Sequence, residues 1–452
     1  MASRDIEKEQ MMIARSKQAR ASSRTVCAAV AALVILGAIV SAQAGAQPAK
    51  RAPATATVTV TVWEDLSTYG PKVPAMLDRL TQAFEKQNPG IKIDRVTVPT
   101  DQKLIKVRQA IAAKTGPDVI MLYPGANAAE FKTGLAPLDK LITPALRKQV
   151  PQINDAKSPN GQTLAVPYTG YVYSMYFNRA LFTKGGLNPD RPPATWKAFL
   201  GACDKLSAAG ITPIASGWKD GIQLEWFIYP LVDQLMSKAD QAKWTAFDLP
   251  YTSAPFKKAY AYAQQMIDHK CFAKGAEGRT LYNDAFDGFY SGKGAMLLGT
   301  GILSEIAPGE KALGKSFDLF SFPRVADSKR PALNDAGAFA GWSMTSFSKH
   351  QPEAWKYIQF LLSPSAQLIA WKVGNLVPNN LLAKPATSSP GMRKIFKLAQ
   401  NRNNWSSYYG WTQAAYDTDR KFAPQFLTGD ASADDILGQL ERVRLQQRPL
   451  LK

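Results

Sequence analysis

Between Val58 and Tyr123 the chain alternates short β-branched runs with amphipathic helical stretches, joined by links of only a few residues. Val58, Val60 and Val62 alternate with threonines, as a half-buried strand does. Pro74 then opens a repeat in which Met76, Leu77, Leu80 and Phe84 recur every three or four residues, and Asn88-Pro89-Gly90 stops it. Ile91, Ile93, Val96 and Val98 make the next strand, Thr100 caps a helix carrying Leu104, Val107 and Ile111, and Asp118–Tyr123 is a third strand. This order predicts βαβ units on a mostly parallel sheet, an α/β fold. Ligands of such sheets gather beyond the carboxyl ends of the strands. Those ends carry Trp63-Glu64-Asp65 and Tyr123-Pro124-Gly125-Ala126-Asn127, polar and aromatic where loops are usually bland.

Further along, Thr163–Val166 reads as a strand running through Pro167-Tyr168 into a tyrosine-rich strand at Tyr171, Tyr173 and Tyr176. Thr195 caps a helix with Trp196, Phe199 and Leu200, a short strand spans Thr212–Ala215, and helices fill most of 222–270. Met296–Leu298, Phe317–Phe322 and Trp342–Phe347 read as strands, and Pro352 starts a helix with Trp355 and Ile358. The C-terminal segment is helical around an aromatic stretch, Trp405–Trp411, and no internal repeat is present. A length of 452 residues, 46% hydrophobic, suits two or three lobes.

The segment before this fold has the layout of an export signal. Arg15, Lys17, Arg20 and Arg24 precede an uninterrupted apolar run, Val26–Val40, and small residues through Ala46 follow. The run is shorter than the roughly 18–20 residues of a membrane-spanning helix, although its long polar leader leaves an uncleaved anchor as the alternative. Removing residues 1–46 lowers the formal charge from +19 to +16. The basic residues are scattered, with no run of five, so a solvated basic exterior is expected and no nucleic acid partner. Residues 47–57, rich in alanine, proline and threonine, read as a leader without structure of its own. Cys27 opens the apolar run and does not follow the small residues, which argues against a lipid anchor. Cys203 and Cys271 remain; an oxidising compartment permits them to pair, and two buried thiols are the equal alternative.

Chemistry-bearing motifs are few. Gly309–Ser316 matches the phosphate-loop pattern letter for letter, but Pro308 precedes it and Phe317-Asp318-Leu319-Phe320 follows, so the required strand-loop-helix context is missing. With only His269 and His350, a zinc site or a Ser-His-Asp triad has little to draw on, and no cofactor is expected. Glu64 and Asp65 could flank a glycosidic bond, yet neighbouring carboxylates diverge and read better as acceptors for ligand hydroxyls. Trp63, Tyr123, Tyr171, Trp218, Trp226, Trp342 and Trp411 lie in or beside loops and strand ends. For Trp63, Trp226 and Trp342 burial in the core is an equal reading. Trp218, between Gly217 and Lys219, is expected on a cleft wall. Flat rings beside carboxylates and amides suit a polyhydroxylated ring.

Seven segments in order carry a family resemblance: LTQAFEKQNPGIKIDRV (80–96), GPDVIMLYPGANAAEFKTGLAPLD (116–139), GQTLAVPYTGYVYSMYFNRALF (161–182), TWKAFLGACDKLSAAGITPIA (195–215), SGKGAMLLGTG (291–301), GWSMTSFSKHQPEAWKYIQFLLSPSAQ (341–367) and LTGDASADDILGQL (427–440). From Val58 onward the chain resembles the family 1 extracellular solute-binding proteins of ABC importers, the maltose-binding-protein-like, carbohydrate type. The resemblance implies a two-lobed periplasmic-binding-protein fold, each lobe a mostly parallel sheet flanked by helices, closing on one ligand. It implies a first lobe from 58–167 and 337–375, a second from 168–336 and 376–452, and a hinge at Val166–Tyr168, Gly337–Gly341 and Val373–Pro378.

Ligand positions carried over by the resemblance are Trp63, Glu64, Asp65, Tyr123, Asn127, Tyr168, Tyr171, Trp218, Trp226, Gly301 and Trp411, with Trp342 added from the aromatic pattern. Ile302 stands where many sugar binders have tryptophan, which removes a stacking ring and argues against a maltose-type ligand. The implied protein is a monomeric, periplasmic receptor that hands a mono- or oligosaccharide to a permease at an affinity of about 1 μM. A periplasmic carbohydrate-active enzyme using Glu64 or Asp65, and a sensor subunit of the same fold, are the competing expectations.

Overall fold

The alternation at 58–123 forms one side of a six-stranded sheet. The computed structural model describes residues 57–330, 336–399 and 405–452; the expected export signal and nearly all of the leader lie outside the described residues. Strand β1 (Val58–Glu64), helix α1 (Val73–Gln87), strand β2 (Ile91–Thr97), helix α2 (Thr100–Ala113) and strand β3 (Val119–Leu122) follow in chain order. β1 pairs in parallel with β2 from Val58–Ile91 to Glu64–Thr97, and with β3 at Val62–Val119. Met76, Leu77, Leu80 and Phe84, the apolar stripe of α1, are fully buried against this sheet, each contributing about 1.5–3 kcal/mol relative to exposure. Thr100 is the first residue of α2 and not its cap, a position held by Pro99.

The later elements are β4 (Val166–Val172), β5 (Ser174–Asn178), α3 (Trp196–Ala208), α4 (Ile222–Leu235), α5 (Ala254–Asp268), β6 (Met296–Gly299), α6 (Leu303–Leu313) and β7 (Phe317–Ser321). They are followed by β8 (Ala336–Met344), α7 (Gln351–Leu362), α8 (Pro364–Gly374), β9 (Val377–Pro378), α9 (Pro390–Ala399), α10 (Gln413–Thr428) and α11 (Ala433–Leu451). The large sheet has the order β2-β1-β3-β8-β4-β9, and a second sheet the order β6-β5-β7. Each sheet has its own apolar core, one around Val62, Leu80 and Trp342, the other around Phe177, Phe227 and Leu298. The chain passes from the large sheet to the small one at Tyr173, between β4 and β5.

The parallel expectation holds for β2-β1-β3 only. β8 is antiparallel to both β3 and β4, and β5 is antiparallel to β6 and β7. The reason is topological: β5 continues β4 out of the large sheet, and the β6–α6–β7 unit is split around it. The strand expected at Thr212–Ala215 is reduced to isolated parallel bridges from Ile214, one to Phe272 and one to Met296. Thr195 caps α3 as expected, its Oγ1 accepting from the Ala198 N–H at 3.3 Å, a contact of about 1 kcal/mol. Cys203 on α3 and Cys271 after α5 form a disulfide, with Cα atoms 5.0 Å apart. Among the described residues no helix is long and apolar enough to cross a membrane.

Candidate functional site

A cavity of about 560 Å³ opens where elements of both sheets meet. Tyr123 enters it from the end of β3, and Tyr171 and Tyr173 come from the strand that joins the sheets. Glu225 and Trp226 come from the first turns of α4, and Arg420 from α10. Tyr282, Phe286 and Tyr290 recur every four residues on a helical segment that starts as a π-turn, Leu281–Ala285. Such turns often mark functional sites because they redirect side chains. Thr300–Glu305, the turn from β6 into α6, and Tyr408 complete the wall.

The rings form a nearly continuous surface. Tyr171 lies edge-on to Tyr173 at 5.2 Å, Tyr173 contacts Trp226 at 5.7 Å, and Trp226 meets Tyr282 edge-on at 5.7 Å. Tyr282 is stacked on Phe286 at an interplanar angle of 6° and is 52% exposed, so the residue stays half open to solvent. The Tyr171 hydroxyl is hydrogen-bonded to Ser406 Oγ at 2.6 Å.

Charge in the cavity is tightly held. Arg420 donates from Nε to Glu225 Oε2 at 2.5 Å and from Nη2 to Oε1 at 3.1 Å, and its guanidinium lies 5.6 Å from the Tyr416 ring centroid. Burial opposes its charge, but Glu225 outweighs burial and holds the guanidinium above its ordinary pKa. Glu305 is buried, and burial pushes its carboxyl up to about 7 although the Gly301 N–H and three hydrogen-bonded donors oppose the shift. Those donors are the Tyr176 hydroxyl, the Thr300 N–H and the Thr300 hydroxyl, each at 2.7 Å. Between Thr300 and Ile302, Gly301 has φ +73°, and a Cβ there would meet Val172 O at 2.8 Å. This turn therefore requires glycine.

Of the sequence-predicted site residues, Tyr123, Tyr171 and Trp226 line this one cavity, and Gly301 shapes its wall. Others lie apart from it. Glu64 is fully buried and accepts from Ser67 N–H at 2.8 Å, Ser67 Oγ at 2.7 Å, Thr97 Oγ1 at 2.8 Å and Arg95 at 3.3 Å. Asp65 accepts from Lys103 Nζ at 2.7 Å. These carboxylates are committed to the first lobe's own architecture and are not presented to the cavity. Trp63 packs half-buried beside Ile120 and Val107. Tyr168 and Trp342 lie edge-on at 5.6 Å inside the first core. Asn127 is buried in the short helix Ala126–Ala129, its side-chain amide without a partner among the described residues. Trp411 is fully buried and stacks on Tyr416.

Trp218 is a correction to the cleft-wall expectation. Its ring is fully buried against Phe272, because Gly217 lets the loop fold closely under Thr280, where a Cβ would lie 2.1 Å from the carbonyl oxygen. The resemblance covered the stretches 218–226, 299–302 and the aromatic segment near Trp411, which hold Glu225, Thr300 and Tyr408 without singling them out, and sequence reasoning missed Tyr173, Tyr282, Phe286, Tyr290, Glu305 and Arg420. The four-residue spacing of Tyr282, Phe286 and Tyr290 was the available signal. Gly309 of the phosphate-loop look-alike lies within α6 and packs on Phe317, so no anion cradle forms there.

A model of the family described as bacterial extracellular solute-binding protein matches residues 67–368. Among curated proteins, an sn-glycerol-3-phosphate-binding periplasmic protein, UgpB, of Shigella flexneri serotype 5b (strain 8401) is 30% identical over 165 residues, 33% of this chain and 37% of that protein. The chain thus matches little more than a third of that relative's length. Among solved structures, a chitin oligosaccharide binding protein superposes with TM-score 0.70 at 20% identity, covering 87% of this chain and 99% of the other. The apo-form of RafE from Streptococcus pneumoniae gives TM-score 0.66 at 20% identity, covering 89% and 100%. At these identities the likeness is one of fold, and that fold is the two-lobed one.

Proposed function

The chain belongs to the bacterial extracellular solute-binding protein family, and we propose that it is the periplasmic receptor of an ABC importer, taking up a mono- or oligosaccharide by closure of its lobes. The observation that carries this reading is the ring-walled cavity, to which the first lobe contributes Tyr123 and the second Trp226. Aromatic faces stack on the apolar faces of a sugar ring, while Thr300, Ser304 and the Glu225–Arg420 pair offer hydrogen bonds to hydroxyls. A ligand that touches both lobes only when they are shut has a differential affinity for that state, and this shifts the population towards it. The hinge lies in the strands β8, β4 and β9, side by side in the large sheet. The receptor acts as a monomer without cofactor and returns its ligand unchanged.

The test is a thermal-shift screen against raffinose, chitin oligosaccharides and xylo-oligosaccharides, followed by small-angle scattering on any hit. A binder should raise the melting temperature by mass action and reduce the radius of gyration. A ligand that binds without compaction refutes the closure mechanism, and turnover of the sugar refutes the receptor assignment.

A further inference from the structure

We propose that Glu225 sets the charge class of the ligand: by holding Arg420 it makes the cavity select uncharged polyols and reject phosphorylated ones. The proposal rests on the reading of this cavity as the ligand site. Arg420 is the only cationic side chain lining the cavity among the described residues, and Glu225 engages it through two nitrogens at 2.5 and 3.1 Å. An arginine that grips a phosphate uses that same fork of donors. Here the Nε–Nη2 edge is already filled by a carboxylate, whose negative charge offsets the guanidinium, so the N–H groups left over carry no net positive charge to draw an anion.

The remaining surroundings add nothing positive. Glu305 is the second carboxyl group of the wall, and it is already saturated by Tyr176 and Thr300. Ring faces carry the negative side of the aromatic quadrupole and so do not attract an anion. Lys103 approaches Tyr123 at 5.0 Å from its ring centroid, but it is 2% exposed and bonded to Asp65. A phosphate, with close to two negative charges near neutral pH, therefore meets one neutralised cation among the described residues that line the cavity. A hydroxyl fits better, since it can donate to Glu225 and accept from the guanidinium N–H groups left over.

The inference predicts a gain of function. Glu225→Gln keeps the side chain's shape and one acceptor but removes the competing charge, which leaves Arg420 free to bind an anion. Calorimetric titration would use sn-glycerol 3-phosphate and glucose 6-phosphate as probes, with glycerol and glucose as uncharged counterparts. Glu225→Gln should tighten both phosphates by about tenfold or more over wild type. The gain should weaken between about 50 and 500 mM salt and vanish in the Glu225→Gln/Arg420→Gln double variant. Phosphate binding unchanged by Glu225→Gln in a variant with a native circular dichroism spectrum overturns the proposal. If Glu225→Gln does not fold, Arg420→Gln decides: a tenfold loss of phosphate affinity relative to wild type overturns the proposal, and no loss supports it. Because the comparison is between variants with the same phosphate probe, it stays distinguishable from failure of the receptor reading, which shows as no response to any sugar and no compaction.

Discussion

The Cys203–Cys271 disulfide offers the most quantitative test of how the second lobe is held together. The bridge closes a loop of 68 residues, from α3 through α4 and α5. Chain-entropy reasoning for a loop of that length gives about 4 kcal/mol of stabilisation. If the second lobe, about 250 residues on the bounds expected above, unfolds as a unit, its unfolding entropy is about 0.5 kcal/mol/K, and loss of the bridge lowers the melting temperature by roughly 8 °C. The perturbation is Cys203→Ala/Cys271→Ala, compared with wild type before and after reduction, by differential scanning calorimetry with a thiol count. Neither cysteine lines the cavity, so the upward shift produced by a bound sugar should be the same in both proteins. Melting temperatures within about 2 °C of each other, with the thiols shown to be free, would refute the reasoning. That result would mean the buried contacts of α3 and α5 hold the lobe without help from the covalent closure.

Two further outcomes follow from the site. Tyr282→Ala should weaken sugar binding by about 2- to 13-fold, the worth of one stacking ring, while leaving the melting temperature nearly unchanged because the residue is half exposed; calorimetric titration and a thermal scan read both quantities. Glu305 and Asp419 are fully buried, and burial raises each to about 7. Between the unfolded carboxyl range near pH 4 and pH 7 the native state then binds more protons than the unfolded one, so stability falls as pH rises through that window. Each group contributes about 3–4 kcal/mol to the fall, and Glu305→Gln should flatten the slope of denaturation midpoint against pH between about 5 and 8. A slope identical to wild type would contradict this reading.

Much of the fold was legible because local signals and packing agree. The alternation of Val58, Val60 and Val62, the stripe of α1 and the Asn88-Pro89-Gly90 stop all fall where the structure places them. Strand direction in the second sheet was not legible. Antiparallel pairing of β5 follows from its being the continuation of β4, a relation set by tertiary contacts far apart in sequence. The cavity was half legible. Tyr123, Tyr171 and Trp226 sit beside strand ends or a helix start, where geometry exposes them to a cleft. Trp218 and Trp411 have similar neighbours in sequence, but close packing through Gly217 and stacking on Tyr416 bury them. Glu64 and Asp65 looked like ligand acceptors because Arg95 and Lys103, which consume them, lie 31 and 38 residues away.

The strand that runs from Val166 to Asn178 with only Tyr173 outside the two sheets has a mechanical consequence. In the lobe closure proposed above, displacement grows with distance from the crossing strands, and Tyr171 and Tyr173 stand at the passage from one sheet to the other. On that proposal the tyrosines of the joining strand move less than the half-exposed Tyr282, which is carried by a helical segment beyond it. A solute can settle on that slower base before Tyr282 arrives, which separates capture from retention within one small patch of protein.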